Sequence, residues 1–384
     1  MIKLLIATAL LSLMNCYTAL RIFSRWPLPR MQGSWVWIFC GCCVLFQLTG
    51  IIAPRVLSPV VAPHGYGARL LSLLNGLSYL ALGVLSCLMM YVLFFDLLSL
   101  GSRLCGFSSI PFCSDRRILF TLGGMTLGTV ALGLRQAAAG PVIRNVDIHL
   151  PNLPAAFDGF KIVQISDLHV GPLIGRRYVE NVVRMANGLQ PDMIALTGDF
   201  VDGTVADLKD DVASLGQLTA PHGIFYVTGN HEYYWDVAGW LAEFGRMGIE
   251  ALSNRHVMVS RGGAHLMVAG VTDLSTQRRG GDDVSDPQKA AKDSPPGVVK
   301  ILLAHQPASY QKASEAGFDL QLSGHTHSGQ YFPFNLLIGL FHRYYRGLNR
   351  HGNMYIYVSS GTGFWGPPLR TGVPSEITLL TLRA

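Results

Sequence analysis

Near-continuous apolar runs separated by short basic loops fill the first third of the chain. Four such stretches, Leu4 to Leu20, Ser34 to Ala53, Leu70 to Leu100 and Ile118 to Leu134, approach or exceed the roughly 20 residues a helix needs to cross a bilayer. The second holds no charged residue. The third is overlong and carries Asp96, so its span is expected to finish near Phe95, with Asp96 interfacial rather than a buried functional acid. Lys3 ahead of the first run suits a cleaved signal peptide, but no small-x-small site follows. Leu13-Met14-Asn15-Cys16 has Asn where a lipoprotein site takes a small residue, and a retained first helix is expected.

From Pro141 the period changes. Ile143 to Leu150 alternates as a strand, and short apolar runs then recur, each ending in a polar cluster. Phe160 to Ile165 precedes Ser166-Asp167, Met193 to Leu196 precedes Thr197-Gly198-Asp199, and Ile224 to Val227 precedes Thr228-Gly229-Asn230-His231. Ile301 to Leu303 leads to Ala304-His305, and Leu320 to Leu322 to Ser323-Gly324-His325-Thr326-His327. Helical patterns such as Tyr178 to Leu189 and Val237 to Met247 lie between. The expectation is an all-α membrane region of about four helices over 1–137, then an α/β domain over 141–384 with polar groups at the carboxyl ends of its strands. Gln277 to Gly297, rich in Gly, Asp, Lys and Pro, reads as a surface insertion, with a mobile lid as the alternative.

Composition sharpens this division. Only 14% of the residues are charged, against roughly 25% in soluble domains. Residues 1–143 hold 10 Lys+Arg and 2 Asp+Glu, while 144–384 hold 20 and 22, so the parts carry +8 and −2. All seven cysteines lie in the first part, which excludes zinc fingers and thiolate catalysis from the second. Cys40, Cys42 and Cys43 are read as packing residues of an apolar span rather than a metal cluster.

Lysine and arginine also set the topology. Arg21, Arg25, Arg30, Arg103, Arg116 and Arg117 flank one side, and Lys3, Arg55, Arg69 and Arg135 the other. That excess puts the first and third loops in the cytoplasm and the large domain on the outer, periplasmic face of an inner membrane that the chain crosses several times. Ser114-Asp115-Arg116-Arg117 before an apolar run echoes a twin-arginine export signal, against the plainer reading of a positively flanked helix.

Five clusters gather Asp167, His169, Asp199, Asn230, His231, His305, His325 and His327. Strand alternation is expected to point Asp167 with His169, and His325 with His327, the same way. Glycines beside Asp199, Asn230 and His325 permit tight turns. Each doublet alone is weak, but the ordered set is specific. A mixed nitrogen and oxygen donor set without sulfur suits Mn, Fe, Zn or Co. His149, His222, His256 and His265 fall outside the clusters and read as structural.

The set resembles the calcineurin-like metallophosphoesterase family, whose motifs run D-x-H, G-D-x-x-D, G-N-H-E, H and G-H-x-H, over about Phe160 to Gly329. Gly229 to Glu232 and Gly324 to His327 match without departure. A longer similarity, through Tyr357-Val358-Ser359, Gly366 to Arg370 and Pro374 to Thr378, points to the bacterial membrane-associated YkuE- and YaeI-like branch, related to enzymes cleaving UDP-2,3-diacylglucosamine. The resemblance implies a β-sandwich flanked by helices and two divalent metal ions. Asp167, His169 and His327 would hold one ion, Asn230, His305 and His325 the other, with Asp199 as bridge. It further implies in-line attack on phosphorus by a metal-bridging hydroxide, His231 as the catalytic acid and Asp202 orienting its imidazole, with capping of the following segment as the plainer role for Asp202.

Tyr233, Tyr234 and Trp235 follow the third motif and are expected near the mouth, Tyr233 and Asn230 as substrate contacts. Phe332 to Tyr345 combines Leu336, Leu337, Ile338, Leu340 and Phe341 with His342, Arg343 and Tyr344. This composition fits an interfacial lipid-binding segment, with Arg343 as a substrate contact, or else a buried helix with a charged end. The expected partners are a lipid-linked phosphoester and membrane lipid. Nucleic acid is disfavoured because the second part is net negative. Two other functions compete: a metal-binding scaffold or sensor, and a transporter, for which the helices lack paired intramembrane charges.

Overall fold

The computed structural model describes residues 2–25, 34–57, 66–107, 117–278 and 284–384. The chain divides into two compact units, Met1–Arg135 with Gly366–Thr371, and Gln136–Trp365 with Gly372–Ala384.

The first unit contains α1 (Ile2–Phe23), α2 (Ser34–Leu57) and α3 (Tyr66–Leu104), and α4 (Arg117–Ala138) runs from it into the second. Three helices among the described residues are long and apolar enough to cross a membrane, over Trp35–Ala53, Arg69–Leu104 and Arg117–Ala138. Buried amides tie the first three together: Asn15 donates to Gln47 Oε1 at 3.0 Å and Asn75 to the Gly50 carbonyl at 2.9 Å. The helix that carries the third apolar stretch continues past Phe95 to Leu104. The Asp96 charge is met within the unit by Arg21 at 2.5 and 2.6 Å, Arg25 at 2.6 Å and the Tyr17 hydroxyl at 2.8 Å. Among the described residues no cysteine joins a metal-ligating group. Arg30, Cys113 and the twin-arginine stretch through Arg116 lie outside the described residues.

The second unit is a two-sheet sandwich. One sheet has the order β1 (Val142–His149), β12 (Glu376–Arg383), β2 (Lys161–Ile165), β3 (Met193–Thr197), β4 (Ile224–Val227), β5 (Glu250–Ala251). The other runs β10 (Gly347–His351), β11 (Met354–Val358), β9 (Leu320–Ser323), β8 (Val299–Leu303), β7 (Ala264–Gly270), β6 (Arg255–Arg261). Ile162, Met193, Ala195 and Phe225 from one sheet meet Val268, Ile301, Leu303 and Leu322 from the other in the shared core. Their alternates Val163, Ile194, Leu196 and Tyr226 turn outward. There they pack under α5 (Arg176–Gly188), α6 (Val205–Val212) and α7 (Val237–Arg246). Both faces of these central strands are therefore covered, which is why they read as largely apolar runs. On the far side, Met267, Ala269, Leu302 and Val358 pack against Ala290 of α8 (Pro287–Ala291) and Ala313 of α9 (Tyr310–Glu315).

Strands β2, β3 and β4 are parallel, as are β7, β8 and β9, so five of the six carboxyl ends deliver the clustered polar residues to one edge of the sandwich. The insertion expected over 277–297 is anchored where it is described. Asn254 donates to the Val284 carbonyl at 2.9 Å and accepts from the Asp286 peptide N–H at 2.9 Å, and Asp286 caps α8. Residues 279–283 lie outside the described residues.

Candidate metal centre

The strands stop before the ligand-bearing residues, so alternation does not set their direction as expected. Asp167, His169, Asp199, His325 and His327 all take the left-handed backbone region, with φ of 52°, 51°, 55°, 70° and 48°. Each such residue costs on the order of 1 kcal/mol or more, and the turn it makes brings a side chain back over the strand end. Two glycines make room. A Cβ on Gly324 would lie 2.0 Å from Ser166 Oγ and 2.1 Å from Asp167 Oδ2, and one on Gly229 2.1 Å from Asp199 Oδ1.

Three overlapping groups result: Asp167, His169 and His327; His169, Asp199 and His231; Asp199, His305 and His325. Ring nitrogens face one another at close range, His169 Nε2 to His327 Nε2 at 3.1 Å and His325 Nδ1 to His305 Nε2 at 3.2 Å. Asp199 Oδ2 lies 3.1 Å from His305 Nε2, 3.9 Å from His231 Nε2 and 4.0 Å from His169 Nε2. Asp167 Oδ1 is 3.4 Å from His327 Nε2. Apposed imidazole nitrogens around buried carboxylates are what a cation would occupy between them. The buried Asn230 Oδ1, with no hydrogen-bond partner, supplies a further oxygen donor. The donor set therefore fits two divalent ions.

The far nitrogens are also held. His305 Nδ1 lies 2.8 Å from the Thr197 carbonyl and His169 Nδ1 3.2 Å from Asp202 Oδ2. Nδ1–H donates to each of these acceptors, leaving both Nε2 atoms to face the cluster. The other Asp202 oxygen, Oδ1, bonds His231 Nδ1. Burial works against charge on His231, but the Asp199 and Asp202 carboxylates outweigh it and push its pKa up to about 9. Burial, followed by the facing His305, lowers His325 to about 3. Burial alone would raise the Asp167 and Asp202 carboxyls. The neighbouring histidines reverse this and hold both below the usual carboxylate range.

Several contributors carry no mark in the sequence beyond their place in a motif. Glu232, fully buried, accepts peptide N–H bonds from Phe200 at 2.6 Å, Gly229 at 2.7 Å and Asp199 at 3.2 Å, tying the β3 loop to the β4 loop. Glu376, also buried, accepts from the Tyr357 hydroxyl at 2.8 Å and the Ser360 peptide N–H at 3.1 Å. This steadies the segment in which the Gly363 peptide N–H donates to the Asp167 carbonyl at 2.9 Å.

The expected substrate contacts separate. Tyr233 is half-buried, with its hydroxyl 3.2 Å from Thr228 Oγ1, and it is the exposed Tyr234 whose ring meets His231, at 5.1 Å between centroids. Arg343 lies over the Tyr344 ring at 5.5 Å, and its neighbour His342 faces His325 at 5.9 Å. Of the histidines read as structural, His256 Nδ1 pairs with the Ala290 carbonyl at 2.8 Å and His265 Nδ1 with Ser260 Oγ at 2.9 Å.

The calcineurin-like phosphoesterase family model matches residues 160–329. A transmembrane protein with metallophosphoesterase domain from Danio rerio is 35% identical over 324 residues, 81% of this chain and 74% of that one. The Bos taurus protein of the same description is 39% identical over 265 residues, 66% of this chain but 60% of its own length. The uncharacterized metallophosphoesterase YkuE of Bacillus subtilis is 31% identical over 240 residues, 60% of this chain and 82% of that one. The chain belongs to the calcineurin-like metallophosphoesterases, metal-dependent phosphoester hydrolases that use two divalent ions, and its apolar helices associate it with a membrane.

Proposed function

We propose that this chain is a membrane-anchored phosphodiesterase or pyrophosphatase acting on a lipid-linked substrate, with its domain on the outer face of a membrane crossed several times. The convergence of Asp167, His169, Asp199, His305, His325 and His327 around apposed ring nitrogens carries the hydrolytic part of this reading. Asp167, His169 and His327 would hold one ion, and Asn230, His305 and His325 the other, with Asp199 shared. Bound there, the ions would ionise a water molecule near neutral pH and neutralise charge on the phosphoryl oxygens.

The remaining work falls to side chains. His231, fixed at Nδ1 by Asp202, turns Nε2 toward the cluster and gives a proton to the departing oxygen as its bond to phosphorus breaks. Water supplies the new oxygen on phosphorus. Asn230 directs its amide N–H to a phosphoryl oxygen. Asp199, through the peptide N–H of His231 at 2.8 Å, keeps the acid in register with the metal ligands.

The lipid part rests on a second observation. Leu336, Leu340 and Phe341 are 67%, 78% and 78% exposed, and Arg343 and Arg346 are exposed beside them. Apolar side chains turned outward next to cations suit the boundary of an anionic bilayer, and His342 places this segment beside His325. UDP-2,3-diacylglucosamine is the named candidate. That candidate, named by the family resemblance, needs the domain on the cytoplasmic side, where nucleotide sugars are found; the outward placement proposed above points instead to an exported lipid phosphoester.

Metal analysis and turnover on purified protein test this reading. Asp199→Ala is expected to lose bound metal and activity, and His231→Ala to keep metal while losing about 10²-fold or more in kcat. Acylated phosphodiesters should be cleaved faster than soluble aryl phosphodiesters. Equal rates in detergent would remove the lipid from the proposal.

A further inference from the structure

We infer a leaving-group subsite for a ring-bearing alcohol or phosphate, formed by Tyr234 and Trp365 beside His231; it rests on the phosphoesterase reading above. Both rings contact the imidazole, Tyr234 at 5.1 Å between centroids and Trp365 at 5.6 Å. Both stay open to solvent, 53% and 44% exposed, whereas most other aromatics of the unit are buried or half-buried.

The backbone that carries each ring is fixed. The Trp365 peptide N–H donates to Gln330 Oε1 at 2.8 Å, and Gln330 Nε2 donates back to the Trp365 carbonyl at 2.9 Å. Gln330 is 7% exposed and follows the His325 to Gly329 turn, so this clamp refers Trp365 to the metal-ligand loop. Tyr234 closes a single helical turn, its peptide N–H donating to the His231 carbonyl at 2.9 Å. Rigid aromatic faces bind a partner with little loss of side-chain entropy.

The chemistry at His231 says which part of a substrate meets these faces. Proton transfer requires the departing oxygen within hydrogen-bond reach of His231 Nε2, because Nδ1 is taken by Asp202. Whatever is bonded to that oxygen then passes Tyr234 and Trp365. Ring faces of this kind favour a planar ring over a linear chain through offset or edge-to-face contact. The apolar Leu336 to Phe341 segment belongs elsewhere. It adjoins His325, which groups with His305, whereas His231 groups with His169. The two substituents on phosphorus therefore meet different surfaces, an aromatic one on the departing side and an aliphatic one on the other.

Two acylated phosphodiesters differing only in the departing alcohol, 2-phenylethanol or n-octanol, test this at similar size and leaving-group acidity. Metal-loaded wild type should prefer the phenylethyl ester by about tenfold in kcat/KM. The preference should vanish in Tyr234→Leu/Trp365→Leu and survive in Tyr234→Phe/Trp365→Phe. A non-hydrolysable phenylethyl phosphonate should quench tryptophan fluorescence in wild type and lose that quenching in Trp365→Phe, whose ring still binds but no longer reports. An unchanged preference in the leucine double variant, or equal quenching with and without Trp365, overturns the subsite while hydrolysis stands. Failure of wild type to cleave any phosphoester would instead overturn the phosphoesterase reading, and the quenching measurement would still decide the subsite.

Discussion

Asp202 is one carboxylate serving two imidazoles, and this gives it more than the role its motif implies. Oδ1 meets His231 and Oδ2 meets His169, so the same group orients the proposed acid and a proposed metal ligand. A residue that only capped the next segment would touch neither. Asp202→Asn keeps the shape but offers one acceptor where two are used. It is expected to lower kcat by about 10- to 100-fold and to weaken metal loading, measured by turnover and by metal content after dialysis. Unchanged metal content with unchanged turnover would return Asp202 to capping. At this scale the doublets Asp167 with His169 and His325 with His327 were legible because their types and order are chemically restrictive. Their left-handed backbone was not, because φ is chosen by what surrounds the turn. Trp365 gave no signal at all: it lies far along the chain from His231 and meets it only through the fold.

The elements that carry these residues are short strands whose ends would drift without cross-links between loops. Glu232 supplies one such link. Its carboxylate receives three peptide N–H groups from two loops, inside the protein and away from water. Glu232→Ala leaves those donors unpaired, and a loss of about 3 kcal/mol in stability is expected, read as a lower Tm of the metal-free protein. Because Asp199 moves with the loop, metal affinity should fall together with Tm. A variant that melts normally yet loses metal would mean that Glu232 acts on the ions rather than on the fold. Central strands such as β3 and β8 were readable as apolar runs because both faces are covered. The hairpins β6–β7 and β10–β11 carry no such signal, since exposed Arg255, Met258, Leu348 and Arg350 break any clean alternation.

Across the whole molecule, the uneven charge seen in the sequence acquires a structural meaning at Asp96. Arg21 and Arg25 of the first helical segment are paired with it, side by side in the helical unit. Orientation in a membrane follows Lys and Arg near the spans rather than net charge, and Asp96 lies on a later helix than the arginines it neutralises. Under the proposed topology the arginines would act twice, first as topological signals and later as ion-pair partners, and the two roles are separable. Alkaline phosphatase fused after Ala384 should be active and green fluorescent protein fused there dark, placing the domain outside. Asp96→Ala should leave that pattern intact while destabilising the helical unit by on the order of 3 kcal/mol, because two guanidinium groups lose their shared carboxylate. Arg21→Ala/Arg25→Ala should instead mix or reverse the reporter signals, since the basic excess on that side falls from six against four to four against four. If Asp96→Ala alone reversed orientation, the ion pair rather than the positive charge would be setting topology. If the double arginine variant kept orientation unchanged, the remaining positive charges would hold it, and the outward placement would have to rest on Arg30, Arg103, Arg116 and Arg117.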